Sequence, residues 1–265
     1  MFAGCEQKDT VTDSNSDSRP LAGVKPDDDP SPSQPATVAI SSTNSLGMVF
    51  KPVPGTKVAF CIWETRVKDY AAFTASSTEV DESWKMPGHE QSDTHPVTKV
   101  NWNDANAFCA WLTKKELAEG IIKTGQKYRL PTDVEWSVAV GLSQEKGNTP
   151  AEKDEMIKDV YPWGNTRQPP KGAGNYWVQL EVDNFKHTSP VGSFQTNAHG
   201  IYDLGGNVWE WCADWYDPSA KGFRVMRGGS WYGIYSSSLL SSYRRNFEPD
   251  KRLNNIGFRC VLASE

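Results

Sequence analysis

The amino-acid sequence predicts an α+β domain, and three observations carry that prediction: two well-signalled helices, short apolar strands ahead of them, and a loop-rich second half built around one alternating strand. Asn103 and Asp104 can cap a helix over 103–118. Its Ala107, Phe108, Trp111 and Leu112 form an apolar stripe, with Lys114, Lys115 and Glu116 outside. Thr132 and Glu135 make a capping box after Pro131, followed by Trp136, Val138 and Ala139 in a helix that ends near Gly141. Met48-Val49-Phe50 and residues 58–65 read as strands separated by a turn at Pro54-Gly55. A shorter helix over 67–75 can turn Tyr70, Ala71 and Phe73 inward. Residues 76–94 show no period and read as loop.

From Gly147 the chain changes character. Tyr161-Pro162-Trp163-Gly164-Asn165, the Pro- and Gly-bearing residues 168–175, and the turns around Gly192 and Gly200 describe long loops that need internal fasteners. Between residues 205 and 212, alternation puts Val208, Glu210 and Cys212 on one strand face and Trp209 and Trp211 on the other. A glutamate in such a strand requires a partner.

Residues 227–260 open with Gly228, Gly229 and Trp231 and follow neither a helical nor a strand period. Their composition is that of a binding surface: Tyr232, Tyr235, Tyr243 and Phe247 offer stiff contact area, Arg244 and Arg245 forked donors, and Gly233 with Ser236, Ser237 and Ser238 an adaptable backbone. The competing reading is a surface loop whose aromatic side chains pack back on the domain.

At 265 residues, 37% hydrophobic and 23% charged, the chain suits one large domain better than two small ones. A net charge of −5 argues against nucleic acid, and no apolar run approaches the roughly 20 residues of a membrane span. Eleven tryptophans point to aromatic packing or an aromatic surface. Ala3-Gly4-Cys5 after an apolar residue looks like the end of a bacterial lipoprotein signal, with Cys5 as the lipidated residue; an incidental cysteine is the alternative. Residues 6–35 are rich in Asp, Ser, Pro, Lys and Thr and read as a flexible tether. The folded part begins between Ala36 and Leu46, which divides the chain into a 1–45 terminus and a 46–265 domain.

Several motifs then fall in one order: His95-Pro96-Val97 with residues 100–105, Tyr128-Arg129-Leu130-Pro131-Thr132 with Glu135-Trp136, Tyr161-Pro162-Trp163-Gly164, Gly206-Asn207-Val208-Trp209-Glu210-Trp211, Arg227-Gly228-Gly229-Ser230-Trp231 and Gly257-Phe258-Arg259. Together they resemble the formylglycine-generating-enzyme, or sulfatase-modifying-factor, superfamily over roughly residues 46–262. The resemblance implies a C-type-lectin-like fold with a small twisted antiparallel sheet, two main helices and long ordered loops. Periodicity by itself gives only α+β.

In that family a pair of cysteines, five apart, binds copper and the substrate thiol. The matching positions here are Ser238 and Tyr243, and residues 227–259 contain no cysteine, so the oxidase activity and its catalytic cofactor are not expected. A second branch of the superfamily is more similar: the variable proteins of diversity-generating retroelements, Treponema-type surface lipoproteins among them. Their diversified segment would correspond to residues 231–256. This implies that Tyr232, Gly233, Ile234, Tyr235, Leu239, Leu240, Tyr243, Arg245, Phe247 and Leu253 contact a protein or cell-surface ligand, on a protein exported and lipid-anchored at the bacterial outer membrane. All ten are products of an asparagine codon altered only at its adenines, whereas Glu248 and Lys251 are not and are expected to be fixed. Trp102, Trp136, Trp209, Trp211 and Trp231 are assigned to the scaffold that holds the segment.

The resemblance also implies calcium sites, one from Asn175, Tyr176, Asp183 and Phe185 and one from Asp203, Gly206, Val208 and Glu210, with side-chain and carbonyl oxygens of the type a hard cation takes. The alternative is that Asp183, Asp203 and Glu210 cap turns or pair with arginines. The resemblance brings Cys109 near Cys260, which implies a disulfide in an exported protein, and leaves Cys61 and Cys212 as buried thiols or a second pair. His89, His95, His187 and His199 lie at no metal-ligand spacing and read as surface or turn residues.

Overall fold

The longest helix begins two residues earlier than its first asparagine-aspartate pair suggests. In α2 (Trp102–Ala118) the cap is Asn101, whose side chain accepts the Asp104 amide hydrogen at 2.8 Å while the Asp104 carboxylate accepts that of Asn101 at 2.9 Å. This reciprocal box satisfies two orphan amides at once, which a cap at Asn103 could not do with Asp104. Ala105, Phe108, Cys109 and Leu112 form the buried face. Glu116, expected outside, is buried: it accepts hydrogen bonds from the Tyr128 hydroxyl and from the amide and hydroxyl of Ser45.

The computed structural model describes residues 41–77, 80–142, 144–233 and 236–264. The expected lipidation site Cys5, the tether, and the candidate contact residues Ile234 and Tyr235 lie outside these. The first strand, β1 (Ser42–Thr43), pairs antiparallel with β2 (Val49–Pro52), so the domain starts ahead of the boundary drawn at residue 46.

The remaining elements in chain order are β3 (Val58–Cys61), α1 (Val67–Ala75), β4 (Gln126–Arg129), α3 (Asp133–Val140), a short α4 (Pro150–Lys153), β5 (Trp209–Trp215), β6 (Arg224–Arg227), β7 (Arg245–Phe247), β8 (Ile256–Gly257) and β9 (Val261–Ser264). They form two sheets rather than one. A 5-stranded sheet runs β1-β2-β3-β9-β4 and is antiparallel throughout; a 4-stranded sheet runs β7-β6-β5-β8, and its β8 lies parallel to β5. The α3 helix starts on its capping box at Thr132 and stops at Gly141, whose φ of 99° is the left-handed cap that glycine adopts without strain.

Strand alternation divides the core. Ala59 and Cys61 of β3 join one cluster, with Phe108, Trp209, Trp211 and Phe258; Val58 and Phe60 join the other, with Trp136, Cys212 and Val261. With β3 buried on both faces, and β9 in the middle of its sheet, the C-terminal strand is part of the core.

Candidate binding site

Residues 227–260 leave β6 and return through β7 and β8, and their described residues are fastened at several points. Gly228 and Gly229, at φ 92° and 80°, turn the chain sharply after β6. The Gly228 carbonyl accepts the Gly206 amide hydrogen at 2.9 Å, and the Trp231 amide donates to the Asn207 carbonyl at 2.9 Å. The Asn255 side chain donates to the Ser230 hydroxyl at 3.1 Å, and the Trp231 indole donates to the Asn254 carbonyl, so the two ends of the segment hold each other. Further along, the Pro249 and Leu253 carbonyls accept from Trp102 and Lys99, and Arg252 forks onto Asp104 with both contacts at 2.9 Å. The segment thus docks on the N-terminus of α2.

Two buried guanidinium groups, one at its start and one in its middle, anchor it to α3. Asp133 takes Arg227 at one carboxylate oxygen, and Arg244 reaches both of its oxygens at 3.1 and 3.0 Å. Arg244 also grips Glu145 and the Ser242 carbonyl. Burial pushes the Asp133 carboxyl up, yet the adjacent arginines outweigh it and hold Asp133 below the usual carboxylate range.

Above this anchor lies a cavity of about 850 Å³, whose walls are Trp209, Trp231, Tyr232 and Tyr243, with Arg245, Asn246, Leu253 and Asn254 around the rest. That volume falls in the range of pockets that take small ligands or a side-chain anchor. The structure brings Tyr232, Gly233, Tyr243, Arg245 and Leu253 of the sequence-derived contact set to this pocket. Leu239 and Leu240 are corrected: they turn inward against Tyr161, Tyr176 and Val182, because burial of two leucines outweighs their exposure on a surface turn. Phe247 packs at the edge of the main core, under the Arg245 guanidinium. Trp231 is both scaffold and wall. Ser238 and Tyr243, the positions matched to the family's cysteines, line the same pocket.

A cluster that the sequence did not reveal stands behind Trp231. The rings of His89 and His187 stack at 4.7 Å, and both meet Trp231 edge-on at 5.8 and 4.9 Å. The Thr188 hydroxyl joins His89, His95 and Gln91. Burial, then the neighbouring imidazoles, push His89 down to about 4, so it is a neutral packing group at neutral pH. Spacing along the chain gave no sign of this, since His89 and His187 lie on separate loops.

The expected calcium ligands fall in the adjoining loops. The Asp183 carboxylate accepts the Tyr176 and Phe185 amide hydrogens at 2.9 and 2.7 Å, and the nearby Asn175 Oδ1 is buried without a partner. That orphaned oxygen fits a hard cation. The second set fits less well. Glu210 gives both oxygens to Arg259, at 2.7 and 2.5 Å, and one also to the Trp136 indole, so the charge a cation would need is already neutralised. Asp203 accepts the Gly192 amide hydrogen, and burial pushes its carboxyl up to about 6. Among the described residues no group of three or more His, Cys, Asp or Glu is placed to hold a metal ion.

Gly206, at φ 86°, is required by contact: a Cβ there would stand 2.3 Å from the Asn175 carbonyl oxygen. Beside it Asn207 accepts the Ser189 amide hydrogen and donates to Glu64, whose buried carboxyl is pushed up by desolvation and then by the charge of Asp203. The Cys109 and Cys260 sulfurs lie 3.4 Å apart, and Cys61 and Cys212 are buried.

Two curled sheets, flanking helices and long fastened loops define a C-type-lectin-like α+β domain of the formylglycine-generating-enzyme kind. The chain belongs to the family described as the sulfatase-modifying factor enzyme 1-like domain, which matches residues 40–264. Among its relatives is the inactive C-alpha-formylglycine-generating enzyme 2 of Mus musculus, 35% identical over 197 residues, with 68% of this chain and 55% of the relative covered. The formylglycine-generating enzyme of Streptomyces coelicolor is 32% identical over 208 residues, covering 67% and 57%. The chain therefore spans little more than half the length of these relatives. Among solved structures it resembles Treponema denticola variable protein 1 at a TM-score of 0.58 and 20% identity, covering 84% of this chain and 99% of the other, a likeness of fold. PvdO from Pseudomonas aeruginosa is similar at 0.54 and 25%, covering 78% and 80%. The family thus holds proteins named as enzymes and proteins named as inactive.

Proposed function

We propose that the protein is a non-enzymatic, surface-displayed receptor whose segment 231–256 is a diversified binding site on a fixed scaffold. The observation that carries this reading is that one pocket is lined by Tyr232, Gly233, Tyr243, Arg245 and Leu253 together, while the residues that fasten the segment, Arg227, Ser230, Arg244 and Arg252, lie outside the variable-type set. Side chains in the pocket can change while the fasteners hold the backbone. Ser238 and Tyr243 support the absence of copper-thiolate chemistry, since neither supplies a thiolate.

The test is to sequence the 3′ end of the gene and the DNA downstream across a cell population. Substitutions confined to codons 231–256, matching adenines in a nearby repeat, are expected. An invariant sequence with no repeat and no adjacent reverse transcriptase would overturn the reading. A second reading, a fixed-function member that is either a divergent oxidase or an accessory binding module, draws on the relatives named as enzymes and those named as inactive, and that same invariant sequence would support it.

Three attachments to this reading have their own tests. Lipidation at Cys5 predicts a diacylated N-terminal peptide in mass spectrometry of native protein, and an unmodified Cys5 removes the anchor. A disulfide between Cys109 and Cys260 predicts loss of two titratable thiols in protein isolated from an oxidising compartment. Calcium at Asn175 and Asp183 predicts a higher melting temperature with calcium than with chelator.

A further inference from the structure

We infer that the pocket holds its ligand by a carboxylate seated on Arg245, with the ligand's aromatic or aliphatic body against Tyr232 and Leu253. This rests on the receptor reading and names the ligand chemistry. Arg245 is half-buried, its guanidinium 5.7 Å from the ring centres of both Trp209 and Phe247, and it makes no ion pair among the described residues. The charges around it are engaged. Arg244 is neutralised by Asp133 and Glu145, and Asp154, which shares the pocket, turns one oxygen to the Arg244 amide at 2.7 Å and the other to the Tyr216 hydroxyl at 2.9 Å. The charge left with open donors is therefore a planar cation.

Such a fork matches a carboxylate bidentately, and contact with two rings reduces the freedom it loses on binding. A cationic ligand would meet Arg245, and the Asp154 carboxylate in the same pocket already accepts a hydrogen on each of its oxygens. A wholly apolar ligand would strip water from the guanidinium without replacing it. A phosphate dianion would call for a second cation, and Arg244 is already taken. The body of the ligand has its own platform: Tyr232 is 57% and Leu253 38% exposed beside the pocket, large apolar surfaces left in water. Carboxylates of this kind come from the acidic side chains or C-terminus of a polypeptide, or from a free aryl or alkyl acid.

The experiment titrates the full chain with phenylacetate against phenylacetamide, and with N-acetylated aspartyl-phenylalanine amide against its asparaginyl counterpart, by calorimetry and ligand-observed NMR. The acid of at least one pair is expected to bind about tenfold or more tightly than its amide. Arg245→Gln should erase that preference without lowering the melting temperature appreciably. Preference in the peptide pair assigns a polypeptide source, and preference confined to phenylacetate a free acid. Equal affinity for acid and amide, a preference that survives Arg245→Gln, or no binding of either acid at millimolar concentration overturns the inference. The receptor reading fails separately, on an invariant gene sequence.

Discussion

Arg259 and Glu210 show what a single pair of side chains contributes here. Both are fully buried, and the guanidinium also donates to the Tyr202 and Asp203 carbonyls. Removing one partner leaves a bare charge in the core: Arg259→Met is expected to lose about 3–5 kcal/mol in urea unfolding, while the double change with Glu210→Met should recover most of it. Glu64 behaves in the opposite sense. Its folded-state carboxyl is held above the value of about 4.3 found in an unfolded chain, so the folded protein keeps the proton longer. The unfavourable burial of its charge is absent below that unfolded value and grows as pH rises through the folded one. Glu64→Gln should accordingly melt higher than the parent protein at neutral pH, with the difference vanishing near pH 4. That Glu210 needs a partner was legible from its place among strand residues. That the partner is Arg259, 49 residues on, was not, because no local pattern encodes which distant guanidinium a fold delivers.

The helix α3 illustrates how an element supports the pocket without lining it. Its capping box was legible because Thr132, Glu135 and Gly141 act on their own backbone neighbours. Thr132→Ala is expected to cost about 1 kcal/mol of stability, seen as an earlier urea midpoint at unchanged slope. The role of Asp133 was hidden, since its partners Arg227 and Arg244 arrive from 94 and 111 residues away. The start of α2 was misplaced for a related reason: Asn101 and Asn103 have equal propensity, and only the reach to Asp104 chooses between them. The Gly- and Pro-rich stretches were correctly expected to be loops. Their fasteners, such as the Thr188 hydroxyl shared by His89 and His95, depend on loops meeting in space.

At the scale of the whole molecule, motif order over most of the chain made the fold legible, whereas the pairing of strands into two sheets, with β8 parallel to β5, was not. The segment 227–260 has two populations of side chains, and its tolerance to change should divide accordingly. Tyr232→Ala, at an exposed position, is expected to stay within about 0.5 kcal/mol of the parent in stability, whereas Leu240→Ala should lose about 2–5 kcal/mol. Equal losses in a chemical-denaturation series would show that the segment folds as one packed unit with no free surface.

The position of β9 bears on synthesis. It lies between β3 and β4, pairing with both, so the five-stranded sheet cannot close until residues 261–264 have left the ribosome. A chain cut short anywhere in the preceding loop would lack the middle of its sheet and present the buried faces of β3 and β4 to proteases. Foldedness therefore certifies that the whole 227–260 segment has been translated in frame, and a cell that degrades unfolded chains would retain only complete copies.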